Sequence, residues 1–280
     1  VTSIDASPGG PELGAPPSAP AAPPPAAPPV AAVAVLLRRA RGVLSSLLVG
    51  PVNEMLLILV ASAVYFGVRF ITESGHEAAV DNAQLVIGFE RLWGLDVEAE
   101  LQNWALQHDW LMVIVNWVYM WAHWPLLAGT MIWLHRTRPD VYRRMRNTIL
   151  LSGAVGLVIF AAFPVAPPRL LGTGFVDTIT QNSSSYRVLQ PPSLTNKYAA
   201  VPSFHVGWNF MVCTFIWRNG TRDLVRIAAA VTPVMMFVSV VLTANHYLVD
   251  GIIGIALVGA ALAVVNRGER WWWSRGDVLI

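Results

Sequence analysis

Two short segments carry the residues of this chain that could do chemistry: Pro202-Ser203-Phe204-His205, and further along His246-Tyr247-Leu248-Val249-Asp250. Each lies at the end of a long apolar run, where an ionisable group is expensive to keep and is retained for use. His246 and Asp250 stand four apart, so on a helix both side chains share one face, and the carboxylate can hold the imidazole in one tautomer. An oriented histidine of this kind is the core of a nucleophile or a general base.

A third segment, Ala166-Pro167-Pro168-Arg169, adds a cation. Pro202 suits the first turn of a helix, and the free amides and positive dipole end of such a helix favour an anion near Ser203. A phosphate fits this setting. Arg169 supplies a bidentate clamp, His246 oriented by Asp250 supplies the nucleophile, and His205 opposite supplies the acid. Together they have the parts of phosphoryl transfer through a covalent histidine intermediate.

The elements that must position these groups are membrane helices. Hydrophobic residues make up 55% of the chain, charged ones only 13%, and mean hydropathy is +0.51, with twelve tryptophans. This composition predicts an all-α, polytopic membrane protein. Six apolar runs approach the length needed to cross a bilayer: 51–71, 110–134, 147–166, 201–217, 227–245 and 249–266. Between the first two, Leu85, Phe89, Leu92, Trp93, Val97, Leu101 and Trp104 recur at helical spacing among acids, predicting one or two amphipathic helices in the membrane interface. Trp110, Trp124, Trp133, Trp208 and Trp217 read as interfacial anchors at helix ends. Residues 1–35, rich in Pro and Ala, read as a disordered cytoplasmic tail without the order of a signal peptide. The membrane domain is expected over 36–270, followed by a short cytoplasmic tail over 271–280.

Basic residues set the expected orientation. Arg38, Arg39 and Arg41, then Arg136, Arg138, Arg143, Arg144 and Arg146, then Arg218, Arg222 and Arg226, then Arg267, Arg270 and Arg275 all fall on one side of a six-span topology. These are fourteen of the 19 Lys and Arg residues. The opposite side receives eight acids between the first two spans, Glu90 and Glu98 among them. Both termini are therefore expected in the cytoplasm, and the three motifs converge at the extracytoplasmic face of the plasma membrane.

With these residues placed, the chain resembles the type 2 phosphatidic acid phosphatase superfamily, and within it the branch of the inositol phosphorylceramide synthases. The likeness runs from about Trp110 to Val265 and is carried by Ala-Pro-Pro-Arg, by Asn196-Lys197-Tyr198-Ala199-Ala200-Val201-Pro202-Ser203-Phe204-His205, and by Asn245-His246-Tyr247-Leu248-Val249-Asp250. The resemblance implies six membrane helices, no metal or other cofactor, His205 as acid, His246 as nucleophile and Asp250 as its orienting group. Two cations of the usual motifs are absent: Ala162 stands where a lysine is typical, and Val240 where an arginine is. Lys197 and Arg187, in the long outer loop, are the candidates to replace their charge. Tyr119 and His123, four apart on the second span, resemble a further feature of the branch and are candidate substrate contacts.

The expected partner is a membrane lipid phosphate or phosphodiester, with no nucleic acid. Two other classes compete. In one, His205, His246 and Asp250 bind zinc and water is the nucleophile. In the other, the missing cations mark a catalytically silent, lipid-binding membrane protein. Asp250 also has a plain alternative role, capping the start of the last helix.

Overall fold

A computed structural model describes residues 51–72, 75–172, 174–179 and 196–276. Arg187, most of the long outer loop and the Pro/Ala-rich tail lie outside the described residues. Val1–Leu57 and Ile58–Ile280 form two units. Among the described residues the helices are α1 (Pro51–Thr72), α2 (His76–Leu92), α3 (Glu98–Ala105), α4 (Asp109–Trp121), α5 (Trp124–Thr137), α6 (Pro139–Ala162), α7 (Phe204–Asn219), α8 (Asp223–Leu242) and α9 (Leu248–Gly276). The only β feature there is an isolated parallel bridge between Val165 and Ala199.

Four stretches are long and apolar enough to cross a membrane: Asp109–Thr137, Pro139–Ala162, Asp223–Leu242 and Leu248–Gly268. The chain is thus a multi-pass membrane protein by helix composition. Six spans are expected from the sequence; four meet that length among the described residues, while the apolar part of α1 (Glu54–Val68) and the 16 residues of α7 are shorter. At 1.5 Å per residue α7 is about 24 Å long, less than the roughly 30 Å of a hydrocarbon core. Its start is set by Val201-Pro202, which precedes the helix instead of entering its first turn, and by Ser203, whose hydroxyl accepts the Val206 amide as N-cap. Gly220 follows its end.

The second expected span is also interrupted. Helix α4 stops at Trp121, His123 takes a non-helical conformation, and α5 begins at Trp124 with Pro125 in its first turn. Such a break frees a backbone carbonyl, and the Asn209 side chain of α7 donates to the one at Ala122. A histidine is thereby exposed to the bundle interior at mid-span.

Helix α7 is the hub, packing against α8, α9 and α6. Its crossing with α9 is backbone to backbone: a Cβ on Gly207 would collide with the Gly254 carbonyl, and one on Gly254 with the Ser203 carbonyl. Small residues let membrane helices approach this closely. The approach brings the start of α7 onto the first turn of α9, where the Ser203 amide donates to the Asp250 carbonyl at 3.0 Å. Trp208, expected as an interfacial anchor, instead stacks on Phe204 and donates Nε1–H to Ser152 of α6.

Helices α2 and α3 are turned inside out relative to a soluble protein. Leu85, Phe89, Leu92, Trp93 and Trp104 are exposed, whereas Ala79, Ala83, Val86, Glu90, Glu98 and Gln102 are buried. An outward apolar face agrees with contact with lipid. The inward polar face corrects the reading of Glu90 and Glu98 as surface charge: both carboxyls are inside the protein.

Candidate active site

Helices α8 and α9 are joined by a five-residue linker, Thr243–Tyr247, that carries His246. Helix α8 ends with Ala244 in the left-handed region (φ 53°), while the Ala244 amide donates to Val241 and the Asn245 amide to Val240. These are the two bonds of a Schellman ending, formed here on alanine where glycine is usual. The Ala244 carbonyl then accepts the Arg169 amide at 3.0 Å. Through this bond the segment after α6 is docked beside the histidine.

His246 is almost fully buried. Its Nδ1 lies 2.8 Å from the Ala200 carbonyl and 3.3 Å from Asp250 Oδ2. A carbonyl oxygen only accepts, so Nδ1 carries the proton and a neutral ring has its lone pair on Nε2. Among the described residues nothing hydrogen-bonds that Nε2. Burial first, and then the positive charge of Arg169, push the His246 imidazole down to about 4, against the Ala200 hydrogen bond, which acts upward. At neutral pH the ring is therefore uncharged, with its lone pair on Nε2.

Asp250 makes contacts of both kinds weighed for it. Its Oδ2 accepts the Tyr247 amide at 2.9 Å, capping α9, and also faces His246. The nearer orienting partner, however, is the Ala200 carbonyl. Ala200 is placed by the Val165–Ala199 bridge: the Val165 amide donates to the Tyr198 carbonyl, and the Ala200 amide to that of Val165. Tyr247 closes this layer by donating its hydroxyl to the Ala166 carbonyl.

His205, in the first turn of α7, has its ring centre 5.9 Å from that of His246. Tyr119 stacks on it at 4.5 Å and His123 lies 4.4 Å away, so the residues of α4 and of the α4–α5 break do reach the site. The Nε2 of His205 is buried and without a hydrogen-bond partner. Ser203, fully buried, is occupied as the cap of α7.

Arg169 is brought in as expected but is not idle. Its Nε donates to Asn245 Oδ1 at 2.9 Å and its Nη1 pairs with Asp177 at 2.9 Å. A phosphate reaching this guanidinium has Nη2 open and meets Asp177 at Nη1. Lys197 is exposed on the turn that leads to Ala200. Val240, at the position of a missing cation, is fully buried in the apolar core, so no displaced side chain of its own takes over that role. Among the described residues no three His, Cys, Asp or Glu side chains are grouped to hold a metal ion. His205, His246 and Asp250 do not form the ligand set of the zinc alternative.

Sequence reasoning missed Ala200, Asn245, Asp177 and the polar face of α2–α3. Gln102 donates to the Val176 and Leu242 carbonyls and accepts the Val176 amide, tying the Asp177 segment to the end of α8. Asn82 donates to Pro164, and Ala79 accepts the Ala166 amide. The signal available was that Asn82 and Glu90 fall at the spacing of the small-residue face of α2, opposite Leu85, Phe89 and Leu92.

No curated protein and no solved structure matches this chain. The PAP2 superfamily matches it over residues 84–264, more than half of its length and a range that includes His123, Arg169, His205, His246 and Asp250. With a membrane-helix bundle that gathers histidines and an arginine at one end, the chain belongs to the PAP2 superfamily and is an enzyme of this lipid phosphatase and phosphotransferase family.

Proposed function

We propose that this protein cleaves or transfers a phosphoester of a membrane lipid at the extracytoplasmic face through a phosphohistidine on His246. The single observation that supports it most is the fixed tautomer of His246, with Nδ1–H on the Ala200 carbonyl and Nε2 bare. In the first step the Nε2 lone pair attacks phosphorus and the ester P–O bond breaks. The leaving oxygen takes a proton from His205, which enters the step as an imidazolium formed beside the bound phosphate anion. In the second step water or an alcohol attacks the phosphohistidine, returning a proton to His205 and the N–P electron pair to His246. The positive charge on the phosphorylated ring is stabilised through Nδ1–H by Ala200 and Asp250.

The ring centres of His246 and His205 are 5.9 Å apart, so the two imidazoles are neighbours, as attack on and protonation of a single phosphoester require. Arg169, Lys197 and the Phe204 and His205 amides, which no acceptor takes among the described residues, are the donors for the phosphate oxygens. Tyr119 and His123 hold the His205 ring and line the approach. Arg187 is a further candidate cation.

A second reading, in which a lipid alcohol enters instead of water, is favoured by the burial of His246, 7% exposed on its side chain. The likeness of 196–205 and 245–250 to the inositol phosphorylceramide synthases supports the same reading. The deciding experiment incubates purified protein with a panel of lipid phosphates and phosphodiesters, following free phosphate and new lipid products together. Trapping of a phosphoryl group on the chain, lost in His246→Ala, is the expected result. Near-normal turnover in that variant overturns the mechanism.

A further inference from the structure

Glu90 on α2 and Glu98 on α3 are 0% and 2% exposed, an unusual state for acids. Among the described residues neither has an ion-pair partner. The two carboxyls are neighbours, and each also takes a backbone amide. Glu90 Oε1 accepts the Val249 amide and Glu98 Oε1 the Leu248 amide, both at 2.9 Å, while Asp250 accepts the amide of Tyr247. Three carboxyls therefore take three consecutive amides at the start of α9, the donors a helix leaves unpaired, at the positive end of its dipole.

Capping alone does not explain this arrangement. An N-cap is ordinarily supplied by the residue before the helix or by its own first turn, and Asp250 already does that here. The other two caps come from 150 and 159 residues away in the chain. A bond across such a separation fixes where the helix begins relative to α2 and α3. The first turn so fixed is the one that bears Asp250 and follows His246. Two buried carboxyl oxygens, Glu90 Oε2 and Asp250 Oδ1, are left without partners. Retaining them is costly for a merely structural joint.

We propose that Glu90 and Glu98 are positioning residues for phosphoryl transfer: by taking the Val249 and Leu248 amides they set the start of α9, and with it the placement of Asp250 and of the linker that presents His246. This rests on the reading of His246 as nucleophile. Burial and the neighbouring Glu98 push the Glu90 carboxyl up to about 8, despite the Val249 amide, so at neutral pH it is a neutral acid whose carbonyl oxygen accepts the amide. A glutamine of the same length does the same. Hence reach, more than charge, is what the site needs.

The test compares Glu98→Gln and Glu90→Gln, which keep the length and the acceptor, with Glu98→Asp and Glu90→Asp, which keep the acid but withdraw it by one methylene. Activity is read on short-chain phosphatidic acid in detergent micelles, with thermal unfolding in the same detergent. The glutamine variants should keep kcat within about threefold, whereas the aspartate variants should lose it about tenfold or more with KM little changed. Full kcat in the aspartate variants, or equal loss in both pairs, overturns the proposal. His246→Ala run beside them separates the two readings. If it stays active, the nucleophile assignment fails; if it is dead while the aspartate variants match the parent, only the positioning role fails.

Discussion

His246 Nδ1 stands 2.8 Å from the Ala200 carbonyl and 3.3 Å from the Asp250 carboxylate. The backbone of one motif thus orients the side chain of the other, and the acid reinforces a tautomer that the carbonyl already imposes. Because a main-chain carbonyl cannot be removed by substituting its side chain, the orientation of His246 is protected against loss of its acid.

This relationship predicts a modest effect of Asp250→Asn. In a site where the acid alone sets the tautomer, such a change costs about four orders of magnitude in kcat. Here the loss should be about ten- to a hundredfold, with folding retained because the amide oxygen still accepts from Tyr247. Steady-state kinetics of the variant check it, and a loss as large as that of His246→Ala would show that Asp250 is the dominant orienting group.

Arg169 is shared between Asn245 and Asp177, and the pair with Asp177 is 15% and 19% exposed. Arg169→Ala should cost about a hundredfold or more in kcat, and Arg169→Lys should remain impaired because it loses the planar fork. Asp177→Asn, by releasing Nη1 for the incoming phosphate, should lower the concentration of vanadate needed for half inhibition severalfold. Unchanged inhibition would mean that Asp177 stays paired with Arg169 when the anion binds.

Two buried groups give stability opposite pH dependences. His246 titrates at about 4 when folded and near 6.5 when free, so the unfolded chain binds the proton first and stability falls as pH drops from about 6.5 to about 4. Glu90, raised from 4.5 to about 8, is protonated longer in the folded chain, so stability falls as pH rises from about 4.5 to about 8. Glu90→Gln should reduce the second slope and leave the first, as read by thermal unfolding at pH 5, 7 and 8.5. For the same reason the acid limb of kcat/KM due to the nucleophile should lie near 4.

Backbone geometry supplies a further pair of expectations. Ala244→Gly, at a left-handed position, should raise stability by about 1 kcal/mol with activity intact, seen as a higher melting temperature in detergent. Gly254→Ala places a methyl against the Ser203 carbonyl and should cost about 2 kcal/mol together with activity. If Gly254→Ala melts like the parent, the α7–α9 crossing is looser than its backbone contact implies.

Sidedness is checked by labelling. In a Cys213→Ala background, cysteine at the exposed Lys197 should react with an impermeant thiol reagent added to intact cells, and cysteine at the exposed Thr221 should not. Reversed labelling would place the site in the cytoplasm.

Much of this site was legible as residue types at fixed spacing. His205, His246, Asp250 and Arg169 stand out because an ionisable group beside an apolar run is rare, and an i, i+4 pair on a helix start has one geometry. The membrane character followed from composition for a similar reason, since burial in lipid acts on every residue of a span. The sequence alone did not determine where α7 and α4 end, because a capped serine and a broken turn at His123 depend on which neighbours take the freed backbone groups. Nor could it single out the Ala200 carbonyl as the partner of His246, since every residue carries a carbonyl and only the Val165–Ala199 contact brings this one forward. Glu90 and Glu98 looked like surface acids for the same reason. Charge alone does not tell a solvated carboxylate from one that holds a distant helix by its amides, and that distinction is made only when the tertiary structure turns the apolar face of α2 outward and its acids in.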